Sequence, residues 1–357
     1  MAKKEKIVAF GEIMLRLTPP DYTTIAQAHN FVANYGGGEA NVLVSLSHLG
    51  HDTEFLTKLP DNQLGDSAIK HLKSHGVNTN HVVRGSSNIG MYFVETGFGG
   101  RPSKVLYNRK HSAVTRIDPN EIDFDEIFSN ATWFHLSGIS LALGKNVRTV
   151  AMKCLEYCKK YDVKVSFDFN YRSKLWTIDE ARPHFKNVIP YVDVLFANHF
   201  DLNTILEIPL SDDSIDIKSK KIELSKKLIE SSKVKYVFGT DRTVHTATDN
   251  SLSSFCICKN GEFKSEGPIR FMIYDRIGGG DAFASGVIHG LIKDFNNPEY
   301  ALKFGLATSV LAHTLYGDVS TLSEKRSSRI YWIERKRRNS KIIQKIKPIR
   351  LAYRFFI

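Results

Sequence analysis

Asp275-Arg276-Ile277-Gly278-Gly279-Gly280-Asp281-Ala282-Phe283-Ala284-Ser285-Gly286 is the stretch that decides how this chain is read. Three glycines run straight into an aspartate, and Ala282, Phe283, Val287, Ile288 and Leu291 then recur at helical spacing. A helix that begins here turns its unpaired backbone N–H groups and the positive end of its dipole toward whatever lies in front. Glycines let those groups approach an anion with no Cβ between them, so Gly278, Gly279 and Gly280 suit a phosphate cradle. Asp281, on the first turn, is then placed to take a proton from a hydroxyl that attacks the phosphorus. On residue types alone, a plain glycine-rich turn with Asp281 as an ordinary helix cap explains the stretch equally well.

Composition narrows the field. The 357 residues can form one large α/β domain or two smaller ones around a substantial core. No apolar run approaches a membrane span, and Met1-Ala-Lys-Lys-Glu-Lys lacks the apolar centre of a signal peptide, so a cytoplasmic protein is expected. The cysteines fall as two separate pairs, Cys154/Cys158 and Cys256/Cys258, without a histidine at ligand spacing. That is a poor zinc site and reads as reduced thiols. The net charge of +11 at pH 7 is local: from Lys325 to Ile357 there are twelve Lys or Arg against one acid, Glu334, which leaves the body neutral. A neutral body gives no reason to expect a nucleic-acid or membrane partner.

Along the chain, Ile7-Val8-Ala9-Phe10-Gly11-Glu12 reads as a buried first strand, and the segment from Met14 to Tyr35 as mixed and turn-rich. Gly36-Gly37-Gly38-Glu39-Ala40-Asn41 opens a helix through Leu43, Leu46 and Leu49 that closes at Gly50. Glu54–Leu59 is a second strand, followed by a helix through Ala68, Ile69 and Leu72. Met91–Glu95 and Lys104–Arg109 alternate like the arms of a hairpin. From Trp133 onward strands alternate with helices: Ala131–Leu136, Val163–Asp168, Val192–Ala197, Val234–Phe238 and Ser254–Cys258 are the strands. This rhythm predicts a parallel sheet covered by helices, with ligands at the carboxyl ends of its strands. Gly138 to Lys145 imitates a phosphate loop, but it has five residues between its glycines and Asn146 after the lysine.

Asp275, Gly278, Gly280, Asp281 and Phe283 together resemble the D-x-x-G-A/G-G-D-x-F signature of the ribokinase-like (PfkB-type) sugar kinases, and Gly37, Gly38 and Asn41 resemble that family's G-G-x-x-x-N. The resemblance implies a three-layer α/β/α fold with a central, mostly parallel sheet over residues 1–322. A small β-lid from about 14–35 and 89–110 would cover the sugar, and 323–357 would form an atypical basic tail. It implies ATP and magnesium as cofactors, Asp281 as catalytic base, and the backbone amides of Gly278, Gly279 and Gly280 as the anion hole. Gly37, Gly38, Asn41, Tyr92, Tyr107, Arg109, Asp168, Asn170 and Arg172 would meet the sugar. Asn198, Thr240 and Arg242 would meet the nucleotide together with Gly278 and Gly280. Asp201 stands where the family carries a glutamate tied to magnesium, one methylene shorter, and an outer-sphere role still suits it. Asp275 and nearby carbonyls would hold a monovalent cation such as potassium, as in several relatives.

Asp168-Phe169-Asn170-Tyr171-Arg172 sharpens the substrate. A bidentate arginine suits a planar carboxylate, for which a neutral sugar has no need. With Arg109 it is similar to the 2-keto-3-deoxygluconate kinases, which implies transfer to the 6-hydroxyl of that sugar acid. A structural ion pair between Arg172 and Asp168 is the plainer reading. A fructokinase or ribokinase of a neutral sugar, and a non-catalytic sugar-binding homologue, stay open. Lids of this type pair between subunits, so a homodimer or higher homo-oligomer is expected. The basic, aromatic tail fits an arm for nucleic acid or a membrane surface, an oligomerisation appendage, or an out-of-frame ending, which its abrupt change of composition favours.

Overall fold

Ile7, Val8, Ala9 and Phe10 are all fully buried, and they form the first strand, β1 (Lys6–Phe10). A strand apolar on both faces belongs inside a sheet that is covered on each side. The computed structural model describes residues 5–86 and 88–328. After β1 come β2 (Met14–Thr18), β3 (Val32–Gly36), helix α1 (Gly38–His48), β4 (Asp52–Leu59) and α2 (Gln63–Ser74). Then follow β5 (Val77–Asn78), β6 (Val82–Arg84), β7 (Met91–Glu95), β8 (Lys104–Asn108), α3 (Phe124–Phe128) and β9 (Trp133–Ser137). The middle of the chain supplies α4 (Gly138–Ala142), α5 (Lys145–Lys160), β10 (Lys164–Asp168), α6 (Ile178–Val188), β11 (Val194–Phe196) and α7 (Ile217–Ser231). The last elements are β12 (Tyr236–Thr246), β13 (Asp249–Cys258), β14 (Gly261–Lys264), β15 (Ile269–Met272), α8 (Gly279–Lys293) and α9 (Pro298–Ala312).

The large sheet runs β14-β13-β12-β11-β10-β9-β1-β4-β5, with β15 beside β13 and β6 beside β4. From β12 across to β5 the neighbours are parallel. Alternation along its strands splits the core in two. Val8, Phe10, Phe134, Phe167 and Leu195 pack under α5, α6 and α7, and Ile7, Ala9, Phe55, Phe196 and Phe238 under α1, α8 and α9. The result is the three-layer α/β/α arrangement expected of the sequence.

One expectation needs correcting. Ser254–Cys258 is not a further parallel strand: it belongs to β13, which returns antiparallel along β12, with β14 and β15 antiparallel on it in turn. Beyond Phe238 the residues of β12 are half-exposed or exposed. Antiparallel pairing tolerates a solvated face where a parallel sheet needs cover.

A separate four-stranded sheet has the order β3-β2-β7-β8. The expected hairpin is its outer half, with Tyr92 opposite Tyr107. The segment read as mixed and turn-rich supplies the other two strands, β2 and β3. Because β2 follows β1 after only Gly11-Glu12-Ile13, this sheet begins at the carboxyl end of the large one.

Candidate active site

The parallel strands end together, and polar groups stand at or just past their ends: Glu12 after β1, Ser137 on β9, Asp168 on β10 and Asn198 after β11. The chain leaves β1 toward β4 on one side and returns through β9 on the other, so a crevice opens there.

Into this crevice points the start of α8. Gly278 precedes its first turn at φ 80, and a Cβ on it would stand 1.8 Å from the Asp318 carbonyl oxygen. Only glycine meets both demands. The α1 start is built by close approach instead: a Cβ on Gly37 would meet the Glu12 carbonyl oxygen at 1.9 Å. Asn41 Oδ1 accepts from the Gly37 N–H at 3.2 Å, which turns its amide so that Nδ2 donates to Asp281 Oδ2 at 2.7 Å. The two glycine-rich helix starts therefore face each other across the aspartate.

Two adjoining cavities meet at α8. One of about 440 Å³ is lined by Gly37, Gly38, Asn41, Tyr92, Tyr107, Arg109, Asp168, Asn170, Arg172, Gly278, Gly279, Gly280 and Asp281. The other, of about 270 Å³, is lined by Asn198, Asp201, Gly239, Thr240 and Phe283. Asp168, Asn170, Arg172 and Gly280 belong to both. Two compartments that share a helix N-terminus and an arginine have the layout for moving an anionic group from one bound molecule to another.

Electrostatics suit the same task. Burial, set against the Asn41 hydrogen bond and reinforced by the charges of Asp318 and Glu39, pushes the Asp281 carboxyl up to about 7. Burial and the charge of Asp281 also push Asp168 up to about 7, with Arg172 pulling the other way. A base poised near neutrality can accept a hydroxyl proton and then release it. Burial raises Asp201 to about 6 against the N–H of Asn198, which donates to it at 2.8 Å.

The structure brings most of the sequence-derived residues together, with distinctions. Arg172 makes no ion pair within 4.0 Å among the described residues, so the plain pairing with Asp168 is not formed. Arg109 pairs with the buried Glu12, which also accepts from Ser112. Tyr92 is buried and donates its hydroxyl to Asp318, while Tyr107 is 52% exposed and stacks on it at 5.9 Å between centroids. Thr240 and Arg242 do not lie in a loop after a strand: both are within β12. Thr240 lines the smaller cavity, whereas Arg242 lines neither and bonds His313 at 2.9 Å. Asp275 is engaged by Arg16, by the Ile277 N–H and by the Gly317 N–H.

Sequence reading missed Glu12, Arg16, Glu39 and Asp318, all buried here. Glu39 accepts from the Ser137 N–H at 3.0 Å and from the hydroxyls of Ser137 and Ser140 at 2.7 and 2.6 Å. It ties the start of α1 to the end of β9, and burial raises its carboxyl above the ordinary range.

A family model described as pfkB family carbohydrate kinase matches residues 4–325. Among curated proteins the chain is similar to a 2-dehydro-3-deoxygalactonokinase of Haloferax volcanii, 32% identical over 326 residues that cover 91% of this chain and 96% of the relative. It is also similar to a 5-dehydro-2-deoxygluconokinase of Clostridium botulinum, 27% identical, covering 90% and 92% of the two chains. Among solved structures, 2-dehydro-3-deoxygluconokinase from Thermotoga maritima matches with a TM-score of 0.86 and 38% identity, over 92% of this chain and 98% of that one.

Proposed function

Since this chain belongs to the pfkB family of carbohydrate kinases, we propose that its acceptor is a 2-keto-3-deoxy sugar acid. The 6-hydroxyl of 2-keto-3-deoxygluconate would receive the γ-phosphoryl group of ATP to give 2-keto-3-deoxy-6-phosphogluconate. The chain is a phosphotransferase with an alcohol acceptor, as its relatives are. The observation that carries the substrate reading is Arg172, which lines both cavities without an ion pair among the described residues. An exposed guanidinium that makes no ion pair among the described residues leaves its donors open to a planar carboxylate, and the relatives' names share an oxo-deoxy sugar acid.

In this reading Asp281 takes the hydroxyl proton as the acceptor oxygen bonds to the γ-phosphorus, and the bond to the bridging oxygen breaks to release ADP. The N–H groups of Gly278, Gly279 and Gly280 face the transferring oxygens. Tyr107, Arg109, Asn170 and Arg172 orient the sugar. Thr240 and Asn198 line the nucleotide side, and Arg242 would act there only through His313. Magnesium, bound with ATP, supplies charge neutralisation. Among the described residues no group of three or more His, Cys, Asp or Glu side chains forms a metal cage. An ion that keeps its waters and rides on phosphates needs none, and Asp201 with Asn198 would hold it through water.

The small sheet acts as lid and subunit contact. Val32 and Leu106 on it, and Phe31 just before β3, are exposed, and burying them between two copies would give a homodimer. Among the described residues no helix is long and apolar enough to cross a membrane. The basic tail lies outside the described residues from 329 onward.

ADP release with ATP and magnesium, compared among 2-keto-3-deoxygluconate, its galactonate epimer, 5-keto-2-deoxygluconate, fructose and ribose, tests the substrate. Highest kcat/KM for a keto sugar acid is the expected result, and preference for fructose or ribose would discard the acid. Light scattering of the purified protein checks the dimer.

A further inference from the structure

Asp275 is where the family resemblance implies a potassium ion, and a guanidinium lies against it. Arg16, on β2, is fully buried. Its three nitrogens are all used: one donates to Asp275 Oδ2 at 2.6 Å, one to Asp318 Oδ1 at 2.5 Å, and Nε to Thr18 Oγ1 at 2.8 Å. The ring of Tyr316 covers it, with the guanidinium carbon 5.8 Å from the centroid. The remaining capacity of Asp275 goes to the Gly317 N–H on Oδ2 and the Ile277 N–H on Oδ1, each at 3.1 Å. A potassium ion beside this carboxylate would be forced against a permanent positive charge in a water-poor site, where like charges repel strongly. The residues present do not fit the ion.

They do fit its task. Asp275 fixes the N–H of Ile277, the residue before Gly278, and the Asp318 carbonyl packs against Gly278 itself. Arg16 thus joins the two segments that hold the anion-binding loop from either side. We propose that Arg16 is a built-in replacement for the monovalent cation: a positioning residue whose fixed charge sets the loop, so that phosphoryl transfer here needs no added potassium. The inference rests on the kinase activity of the family and not on which sugar is accepted.

The test measures kcat with ATP, magnesium and whichever acceptor turns over, in choline, sodium and potassium chloride at equal ionic strength. Wild-type values are expected to agree within about twofold, since only general screening differs between conditions. Activation by potassium of about tenfold or more over choline would overturn the proposal. Arg16→Met is expected to lower kcat by about a hundredfold, the scale of losing one aligned anion-hole donor. Positive charge restored in either form, as Arg16→Lys or as potassium added to Arg16→Met, is expected to recover about tenfold of that loss. Recovery by neither, or full activity in Arg16→Met, would reduce Arg16 to scaffolding and sink the idea. If Arg16→Met does not fold by circular dichroism, the wild-type salt comparison decides. A thallium soak of wild-type crystals gives an independent readout: no anomalous peak beside Asp275 is expected, and a peak there refutes the replacement.

Discussion

Asn41 and Asp281 lie 240 residues apart in the chain, yet the amide of one donates to the carboxylate of the other at 2.7 Å. This bond favours the charged form of Asp281, whereas burial favours the neutral one. The balance near neutrality makes the aspartate a usable base at cellular pH. Asn41→Ala removes the charge-favouring side, so the acid limb of kcat/KM, expected near about 7 from Asp281, moves upward by somewhat under one pH unit for a bond worth about 1 kcal/mol. A pH–rate profile that leaves the limb in place would remove Asn41 from this role.

Asp281→Asn is expected to lower kcat by about a thousandfold or more while calorimetric binding of ATP and sugar persists. Its stability effect has a defined sign. Burial pushes the folded carboxyl up to about 7 from its ordinary 3.8, so the native state binds more protons than the unfolded chain between those values. The stabilisation from this group is complete below the lower value and is lost as pH rises through the upper one. The variant should therefore gain a few degrees in Tm over wild type at about pH 8 and much less at about pH 4. Equal gains at both values would show that the carboxyl is not raised.

Arg172→Ala separates two roles. If Arg172 holds the acceptor's carboxylate, KM for the sugar acid rises by about ten- to a hundredfold, the worth of a charge-assisted bond, and kcat changes little. Because the residue also lines the smaller cavity, a fall chiefly in kcat would reassign it to the transferring phosphoryl group.

Gly278→Ala places a Cβ at φ 80 against the Asp318 carbonyl. Backbone strain alone costs about 1–3 kcal/mol, and relief must come from moving the loop that aims the amides. Thermal unfolding should show the loss, and kcat should fall more than KM rises. An unchanged kcat would mean that the loop is not the anion hole.

How much of this could be read from residues alone follows from where each partner lies. Gly278 to Asp281 and Gly37 to Asn41 announce themselves because close backbone approach and a helix start leave a local record in glycines and a capping side chain. Arg109 and Arg172 were visible as arginines at strand ends. Arg16 was not: it sits in an apolar strand pattern, and its partner Asp318 is 302 residues away. Glu12 and Glu39 are equally silent, since a buried carboxylate declares itself only through Ser112 or through Ser137 and Ser140, which the fold brings near. The β12–β13 hairpin was read as parallel because apolar cores at Val234–Phe238 and Ser254–Cys258 look alike in either direction. The exposed half of β12 and the short turn after Thr246 carried the missing signal.

Arg16 also bears on how this fold can be recombined. The small sheet resembles a detachable module that could be exchanged between relatives to alter what the enzyme accepts. In this chain β2 carries the cation around which Asp275 and Asp318 are arranged. A chimera that imports a foreign small sheet without an arginine at this place would inherit two buried acids facing each other with no counter-charge. The small sheet and the loops at 275 and 318 are therefore one heritable unit, and library designs that shuffle acceptor specificity should cut outside it.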